Sequence, residues 1–599
     1  MDTVSDLLRY LRIYRRYIGR RIYLVFVLTV VVALTQGFGI TLLLPLLRVS
    51  QSGEEAANMG WAEEILYDLL AKLGIAESLP GILAFIAVVF IVKGGVQFVK
   101  GGYVGYLQAQ LLRELKTKLF DAYSRMTYRY YIRQNAGHFI NVINGQVNQF
   151  FSSFTSFASV FSKVVTTLSY FIYAFAIAWR FALMAFGVGV GLLFLFKYLN
   201  AYVRRLSRKK SAEMSTLNKL LVQSLQSLKY IVGTNQTAHL RSGVVDSVTR
   251  LTGYIFRQRI ASSFTSAIKE PVSVLLIVGL IALQVMAFGG EIAPIFVALF
   301  LFHRGMQSMM GIQGNWQGMM DKIGAVEMVT DEFEAVHAHQ ETSGAQEVGA
   351  LRRGIEFDDV CLAYKAEDGN VLHDVNISVP ANETIALVGE SGAGKSTLVD
   401  MMTLMLKPRT GEIRIDGVPH DEVDLASWRD QIGYVSQETV VFDDTVANNI
   451  SLWQGDIGED PALRERVMHA AERAHAHHFI EDLPNGYQTQ VGDRGVRLSG
   501  GQQQRLFVAR ELFKQPNLLL LDEATSDLDT ASEQHIQNSI DALKGEVTVV
   551  IIAHRLSTVK NADRVYVLDD GRVIESGSYH ELRHREEGAF REMVEMQSL

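Results

Sequence analysis

The hydrophobic and polar positions divide the chain into two parts. Nearly all long apolar runs lie within residues 22–302, whereas residues 340–599 have the mixed composition of a soluble α/β protein. The run from Ile22 to Leu47 carries no charge over 26 residues. As a helix it would be about 39 Å long, which is enough to cross a hydrocarbon core of about 30 Å. The pattern predicts an all-α membrane domain followed by an α/β domain.

Hydropathy predicts six membrane spans in a membrane domain over residues 1–334. Trp179 and Arg180 would form a tight turn between the third and fourth spans. Polar helical stretches at 108–150 and 200–265 are too long for simple turns. They predict helix pairs that extend into the cytoplasm. The approximate spans are 22–47, 82–107, 154–178, 181–199, 271–287 and 292–316, and the cytoplasmic helix pairs would break near Gln134–Gly137 and Gly233–Gln236.

Basic clusters beside the first and fourth spans predict the orientation, because short cytoplasmic segments carry an excess of Lys and Arg. We expect a multi-pass protein of the inner (plasma) membrane with both termini in the cytoplasm. The net charge of −7 adds little, since the charges are unevenly placed. The clusters are Arg9, Arg12, Arg15, Arg16, Arg20 and Arg21, and then Arg204, Arg205, Arg208, Lys209 and Lys210.

An acidic stretch at 48–80 would lie outside, and it contains an amphipathic segment, Trp61–Leu73. The apolar side chains of this segment recur at i, i+4 spacing, which predicts one face of a short helix. That face would rest on the outer membrane surface or the membrane helices, or the helix would pack on its own loop. The stripe consists of Trp61, Ile65, Leu69 and Leu73.

A polar, aperiodic stretch predicts a linker at 335–350 and a second domain at 351–599. The single cysteine, Cys361, excludes an internal disulfide and a cysteine-based metal site.

The second domain contains G-E-S-G-A-G-K-S-T between an apolar β-rich run and a predicted helix, which is the context of a phosphate-binding loop for ATP. Lys395 would reach the β- and γ-phosphates, and the Ser396 hydroxyl would bind Mg²⁺. The loop consists of Gly389, Glu390, Ser391, Gly392, Ala393, Gly394, Lys395, Ser396 and Thr397.

Further candidate residues follow downstream in the chain. The apolar run L-L-L-L ends in Asp522, placed to hold Mg²⁺, and Glu523, placed to polarise the attacking water. Gln437 is a candidate contact for Mg²⁺ and water, and His554 is a candidate γ-phosphate sensor. Tyr364 is expected to stack on adenine through its π-face.

The segment L-S-G-G-Q offers a second anion-binding helix N-terminus. A single ATP does not need two such sites within one chain. The arrangement is consistent if each signature closes over the ATP that another copy of the chain holds. The signature consists of Leu498, Ser499, Gly500, Gly501 and Gln502.

The ordered series of these motifs resembles the nucleotide-binding domain of an ATP-binding cassette (ABC) transporter. With six preceding spans, the whole chain resembles an exporter-type half-transporter. The resemblance implies a dimer with two ATP molecules between its cassettes, and alternation between inward- and outward-facing states. Because Glu523 and His554 match hydrolysis-competent cassettes, we expect active ATP sites and a homodimer. The chain departs from the usual family pattern at Asp527, where Ala is commoner, and at Asp493, where Glu is commoner.

The cargo is predicted less directly. Charges within a membrane are costly and call for a functional hypothesis. The cations in or near the spans outnumber the acids, among which Glu270 and Glu291 are nearest, so we expect an anionic or phosphate-bearing cargo. Arg304 would grip a phosphate bidentately; in the alternative, the lysines only extend to the interface. The candidate substrate residues are Arg304, His303, Lys93 and Lys100, with Lys163 and Lys269 as further cations.

The external helix and the basic lining together resemble the flippases of lipid-linked oligosaccharides, more weakly than the whole chain resembles an ABC half-transporter. The alternatives within transport are a lipid-A-type, peptide or multidrug exporter, and the Phe-rich third span is compatible with an apolar drug cavity. An ATP-gated channel or regulator is a remote alternative. Six fused spans exclude a DNA-repair cassette, and we expect no nucleic-acid partner.

Overall fold

The computed structural model describes residues 2–42, 61–76, 78–195, 197–268, 271, 274–275, 278–279, 282, 295–364, 369–523, 530–553, 559–585 and 587–598. The chain divides into two compact units. The membrane unit comprises Met1–Met126 and Tyr130–Gln340, and the motor unit comprises Thr127–Arg129 and Glu341–Leu599.

The described part of the membrane unit is helical. Its short helices interrupt the long ones where the sequence predicts breaks, near residues 134 and 234. The helices, in order, are α1 (Asp2–Ile18), α2 (Ile22–Thr41), α3 (Trp61–Lys72), α4 (Leu79–Ser124), α5 (Tyr128–Arg133), α6 (Ala136–Ile140), α7 (Val147–Leu195), α8 (Lys197–Gln226), α9 (Leu228–Gly233), α10 (Thr237–Ala267), α11 (Ile295–Met320) and α12 (Ile323–Ala338).

Three helical runs of the described chain are long and apolar enough to cross a membrane: Leu7–Thr35, Leu79–Ser124 and Ala136–Ala176. The predicted turn at Trp179 and Arg180 is wrong, because α7 continues through both residues. Neither residue breaks a helix, since both keep the backbone N–H and carry a Cβ. The predicted fifth span and the beginning of the sixth lie mostly outside the described residues.

The N-terminal helix α1 packs into the membrane unit through a row of tyrosines. Tyr10 and Tyr14 are fully buried. The Tyr14 hydroxyl donates to Ser153 Oγ over 2.9 Å, and its ring lies 5.6 Å from Phe150 and 5.4 Å from Phe154, edge to face. Such aromatic pairs add about 0.5–1.5 kcal/mol beyond their buried area. The phenylalanines at the start of the predicted third span are therefore core residues.

The predicted amphipathic helix between the first two spans is present as α3. Leu66 and Leu70 are buried, and Leu70 belongs to the cluster that contains Ile82 of α4. The described members of the predicted apolar stripe lie on the other face, where Ile65 is 60% exposed and Leu73 is 53% exposed. The helix thus has a packed face and an exposed apolar face.

The described part of the motor unit contains two sheets. One is antiparallel in the order β2-β1-β4-β5, and the other has the order β10-β9-β3-β8-β7-β6, with parallel pairing throughout except between β10 and β9. The strands are β1 (Gly354–Leu362), β2 (Leu372–Pro380), β3 (Thr384–Gly389), β4 (Thr410–Ile415), β5 (Val418–Pro419), β6 (Ile432–Val435), β7 (Leu518–Asp522), β8 (Thr548–Ile552), β9 (Arg564–Asp569) and β10 (Arg572–Gly577).

The helices of the motor unit cover the mainly parallel sheet, whose central strands β3, β7 and β8 are almost fully buried. Such strands read as continuous apolar runs because both faces are covered. The helices are α13 (Lys395–Met402), α14 (Leu425–Arg429), α15 (Val446–Ser451), α16 (Pro461–Arg473), α17 (His477–Glu481), α18 (Gly500–Phe513), α19 (Thr530–Asp541), α20 (Tyr579–Arg583) and α21 (Ala589–Ser598).

The stretch 335–350, predicted as an irregular linker, is partly structured. Helix α12 continues to Ala338. Val348 is buried in the core of the motor unit. The polar composition of this stretch does not indicate the end of α12 or the burial of Val348. Helix α12 buries only one face, and Val348 is an isolated apolar residue.

Candidate functional site

The candidate site lies at one edge of the parallel sheet. Strands β3, β6 and β7 run parallel and end, respectively, at the phosphate loop, before Gln437, and at Asp522. The carboxyl ends of parallel strands share an edge, and ligands of such sheets bind there. The fold therefore brings motifs together that are more than 130 residues apart, from Gly389 to Glu523.

All three glycines of the phosphate loop have positive φ angles, and the two that are spatially constrained are Gly389 and Gly394. Gly389 has φ +151°, and a Cβ on it would lie 2.2 Å from the Leu568 carbonyl oxygen. Gly394 has φ +95° and caps the start of α13. Its position lets the helix N-terminus, with its partial positive charge, face the loop.

Lys395 reaches back across the loop. Its Nζ donates to the carbonyl oxygens of Gly389 (2.9 Å) and Glu390 (2.8 Å). Burial lowers the pKa of Lys395, and the charges of Glu523 and Asp522 oppose that change. The ammonium group thus lies in the loop together with the two carboxylates.

Side chains with oxygen atoms that could bind a metal ion lie near this lysine. Ser396 Oγ lies 3.4 Å from Asp522 Oδ1, and Gln437 Nε2 donates to Glu523 Oε2 over 2.7 Å. Mg²⁺ binds oxygen ligands and usually retains waters and substrate phosphates, so one hydroxyl and one carboxylate suffice on the protein side. The residues present fit a Mg²⁺ ion that accompanies ATP.

Glu523 has a strained backbone. It follows β7 directly with φ +51°, a left-handed conformation that costs a non-glycine residue free energy. Strain of this kind is typical of functional sites, where the surrounding structure maintains it. The Glu523 N–H donates to the Ile552 carbonyl of β8 over 3.2 Å, which holds the residue in place.

Two predicted nucleotide contacts have different outcomes. The Tyr364 hydroxyl lies 3.0 Å from Thr397 Oγ1, so this tyrosine is joined to the phosphate loop. His554 lies outside the described residues, as does the segment 524–529 that contains Asp527.

The L-S-G-G-Q segment forms the start of α18. Ser499 is the N-cap; its hydroxyl accepts from the Gln502 N–H over 3.3 Å, and the Gln502 side chain accepts from the Ser499 N–H over 2.9 Å. This reciprocal pair fixes the helix start. Ser499 and Gly500 are exposed, while Leu498 and Gly501 are buried. The exposed N-terminus of α18 is available to an anion.

Arg510 is a positioning residue that sequence reasoning missed. It is 3% exposed on α18 and donates to the Asn449 carbonyl (2.6 Å), Asn449 Oδ1 (2.8 Å) and the Val440 carbonyl (2.7 Å). Burial lowers its pKa to about 10, so it stays charged at neutral pH. Val440 follows Gln437 by three residues, and Arg510 therefore ties the signature helix to the Gln437 loop.

Asp400 should make stability depend on pH. Burial, and then the charge of Asp522, raise its pKa from 3.8 to about 6. Its charged form is thus disfavoured in the fold, and the penalty develops as pH rises through about 4–6. Without Mg²⁺ or nucleotide, we expect Asp400→Asn to raise stability at pH 7.5 by at most about 3 kcal/mol, the free-energy equivalent of a pKa raised from 3.8 to about 6.

Thermal melting of the purified full-length protein checks this expectation. The gain in Tm should shrink as the pH falls from about 6 to below 4, because Asp400 is protonated first in the folded state and then, below its ordinary pKa of 3.8, in the unfolded state as well. Asp430→Asn, at an exposed carboxylate, is the matched control. A gain that does not change with pH would contradict the assignment.

The structure places the candidate substrate residues on two helices of the membrane unit, Lys93 and Lys100 on α4 and His303 and Arg304 on α11. Lys93 Nζ lies 4.9 Å from the Phe90 ring centroid, and the Arg304 guanidinium lies 5.4 Å from that of Phe300. His303 Nε2 lies 2.8 Å from Gln307 Nε2. Lys100 Nζ donates to Ser162 Oγ over 2.7 Å. Lys269, Glu270 and Glu291 lie outside the described residues.

Comparisons with known proteins agree with this arrangement. Residues 22–302 match the ABC transporter transmembrane region, and residues 372–526 match the ABC transporter family. An ATP-dependent lipid A-core flippase of Cupriavidus metallidurans is 32% identical over 90% of this chain and 91% of its own. The heterocyst differentiation ATP-binding protein HepA of Nostoc sp. is 30% identical, over 80% of this chain and 78% of its own.

The chain belongs to the ABC transporter family, as a half-transporter with one membrane domain and one ATPase domain. It binds ATP and is an ATP hydrolase coupled to transport, in a multi-pass membrane protein. A bacterial Atm1-family ABC exporter with ATP bound has the same fold: its solved structure matches with a TM-score of 0.78 at 24% identity, over 97% of this chain and 100% of that one.

Proposed function

We propose that this ABC exporter uses ATP and Mg²⁺ to flip an amphipathic, anionic lipid-linked molecule across the inner membrane, with a lipid-linked oligosaccharide as the candidate cargo. The motor unit and both termini are on the cytoplasmic side. The observation that carries the proposal is a column of cations on the membrane helices α4, α7 and α11, whose described spanning parts carry no Asp or Glu.

The column has two levels within the membrane helices, and Lys322, which follows Asp321 directly in the sequence, lies after the end of α11. Arg304 of α11 lies within electrostatic range of Lys93 of α4, and Lys163 of α7 within range of Lys100. Lys93 and Lys100 are seven residues apart, two helical turns, and so share a face about 10 Å long. At the predicted cytoplasmic end, Lys322 Nζ donates to Ser156 Oγ of α7 over 3.3 Å.

No acid balances this column within its helices. Helices α7 and α11 contain no Asp or Glu, and the first acid of α4 is Glu114, beyond the predicted span. Unpaired positive charge in a membrane is costly and is retained where it serves a substrate path. An anionic head group that enters from the cytoplasm would meet a cation at each level.

The packing of the Phe-rich segment disfavours a cavity for neutral drugs. Phe150 and Phe154 are fully buried and Phe157 is 2% exposed. All three lie against Tyr14 of α1. Their rings stabilise the core and do not line an apolar cavity.

The exposed stripe of α3 supports a lipid-linked cargo. Ile65, Leu69 and Leu73 expose apolar surface on a helix predicted to lie outside. Such a surface is suited to the acyl or prenyl part of a lipid. The relatives named as lipid A-core flippases support a lipid cargo as well.

Stimulation of the ATPase by cargo tests this proposal. We expect polyprenyl-pyrophosphate oligosaccharide to stimulate the purified protein. Arg304→Ala should raise the half-maximal concentration about 10- to 100-fold, because it removes charge-assisted hydrogen bonds to phosphate. Arg257→Ala, at an exposed arginine of α10, is the matched control.

Competing ligands distinguish the alternatives. Stimulation by lipid A alone would identify a lipid-A-type exporter, and stimulation by neutral drugs or peptides alone, unaffected by Arg304→Ala, would contradict the anionic lipid. An undecorated polyprenol should not stimulate, since it lacks the pyrophosphate.

We also propose that two copies associate, so that the signature of each chain closes over the ATP of the other. The exposed Ser499 and the exposed Ser391 of the phosphate loop would then face each other between copies. In a Cys361→Ser background, the chain carries no other cysteine. We expect Ser391→Cys with Ser499→Cys to be cross-linked by a short bis-maleimide into a species of twice the chain mass.

ATP should increase that cross-link in a hydrolysis-deficient protein, and each single cysteine variant is a control. Cross-linking only within one chain, without the doubled mass, would contradict the shared ATP sites.

A further inference from the structure

The membrane unit has a second basic site, away from the column. A cleft of about 380 Å³ opens between α1, α4 and α12. Its four basic lining residues are Arg16, Lys118, Arg125 and His337, and its single acidic one is Asp121. Volumes of this size are typical of sites for small molecules.

The arginines of this cleft are not neutralised by the described protein. Neither the Arg16 nor the Arg125 guanidinium has a hydrogen bond or ion pair within the part of the chain that the structure describes. Lys118 pairs with Glu114 one turn away, at 2.7 Å. An exposed i, i+4 pair of this kind contributes about 0.3–0.5 kcal/mol and is easily exchanged.

Other cations of the same unit behave differently. Arg204 and Arg208 both bind Glu327, over 3.1 Å and 2.6 Å. Lys210 binds Asp321 over 3.0 Å. The two arginines of the cleft therefore differ from Arg204, Arg208 and Lys210, whose charges are balanced by carboxylates.

The floor of the cleft is aromatic and rigid. Tyr17 and Phe333 are both buried, with ring centroids 5.7 Å apart. His337 Nδ1 donates to the Phe333 carbonyl over 2.7 Å, which fixes the ring and leaves Nε2 as its other polar atom. Cations thus surround a firm apolar base.

The cleft lies in the predicted cytoplasmic extension. The Arg21 guanidinium donates to Gln110, close to the predicted end of the second span. Lys118 and Arg125 follow Gln110 by eight and fifteen residues, which on a helix is about 12 Å and 22 Å further from the membrane. A ligand dissolved in the cytoplasm could reach this position directly.

We propose that this cleft binds a phosphate-bearing anion. Planar guanidinium groups match phosphate oxygens bidentately, and two of them from separate helices, with Lys118 and His337, can surround one phosphate or pyrophosphate group. The bound anion bridges α1, α4 and α12. Its source is either a soluble phosphorylated molecule or the head group of an anionic phospholipid.

Binding of radiolabelled pyrophosphate tests the proposal. The full-length protein is used with Lys395→Ala, which removes the principal phosphate contact of the ATP site, in nanodiscs of phosphatidylcholine. We expect Arg16→Ala with Arg125→Ala to weaken pyrophosphate binding at least about tenfold, from the loss of two charge-assisted contacts. Arg12→Ala with Arg113→Ala, at exposed arginines of the same two helices, should leave it unchanged.

Asp121→Asn should change the affinity for pyrophosphate in the opposite direction. It removes the one negative charge of the lining, so pyrophosphate should bind several-fold more tightly. The variant also separates loss of binding from loss of folding, since a damaged protein does not gain affinity.

Nanodiscs with phosphatidylglycerol identify the source. A higher Tm in these discs, lost with the Arg16 and Arg125 substitutions but kept in the control, together with no binding of free pyrophosphate, would assign a phospholipid head group. Pyrophosphate binding would assign a soluble ligand. If the cleft variant and its control behave alike with both probes, the proposal is wrong.

Discussion

We expect Glu523→Gln to lower ATP turnover by at least about 100-fold while the protein still binds ATP. A positioned general base contributes about 10²–10⁴-fold, and glutamine keeps the shape of the side chain but cannot take up the proton. Glu523 is well placed for this role, since its carboxylate accepts from Gln437. The Lys395 ammonium lies within its electrostatic influence.

Phosphate release under saturating ATP measures turnover, and a fluorescent ATP analogue measures binding. Glu438→Gln is the matched control, because it makes the same change at an exposed carboxylate next to Gln437. A general base should contribute at least about 100-fold to the rate. If Glu523→Gln retains more than a tenth of the wild-type rate, its loss is too small for that role, and another group activates the water.

Arg510→Ala should destabilise the motor unit by about 3 kcal/mol or more. The substitution leaves two carbonyl oxygens and Asn449 Oδ1 without their donor, and an unsatisfied buried group costs about 1–3 kcal/mol. It also removes a cation from above the Phe442 and Phe507 rings, at 4.9 Å and 5.3 Å. In a domain of this size the Tm should fall by about 6–12 °C.

Calorimetry of the full-length protein checks this value. Arg510→Lys should recover part of the loss, since a lysine keeps the charge but cannot reproduce the fork of donors. Arg466→Ala is the control. The guanidinium of this exposed arginine of α16 lies 4.5 Å from the ring centroid of Phe513, which is on α18 like Arg510. A loss for Arg510→Ala no larger than for Arg466→Ala would contradict the positioning role.

The sequence predicts the ATP site well because its motifs are local. A glycine-rich loop after an apolar strand, and two carboxylates at the end of another, specify both the residues and their secondary structure. Parallel strands then place Lys395, Gln437 and Asp522 at one edge, without any information on side-chain contacts. What remains a prediction is the role of each residue in catalysis.

Sequence reasoning fails where a residue acts through distant partners. Arg510 has no motif of its own, and its partners lie 61 and 70 positions away. The tyrosines of α1 appear as part of a basic leader, although they fill the core against α7. Trp179 and Arg180 suggest a turn by their polarity, but polarity does not break a helix.

The membrane column shows an intermediate case. Each cation is visible in the sequence, but the proximity of Arg304 to Lys93, and of Lys163 to Lys100, depends on how α4, α7 and α11 pack. Periodicity gives the face of one helix and does not give the neighbour of that face.

Movement of a labelled polyprenyl-pyrophosphate oligosaccharide in proteoliposomes tests the central claim most directly. The protein is reconstituted with its ATPase outside, and the label in the outer leaflet is destroyed by a membrane-impermeant reagent. The account predicts that Mg²⁺ and ATP increase the protected fraction with wild-type protein but not with Glu523→Gln. An unchanged protected fraction while the wild-type protein hydrolyses ATP would contradict it.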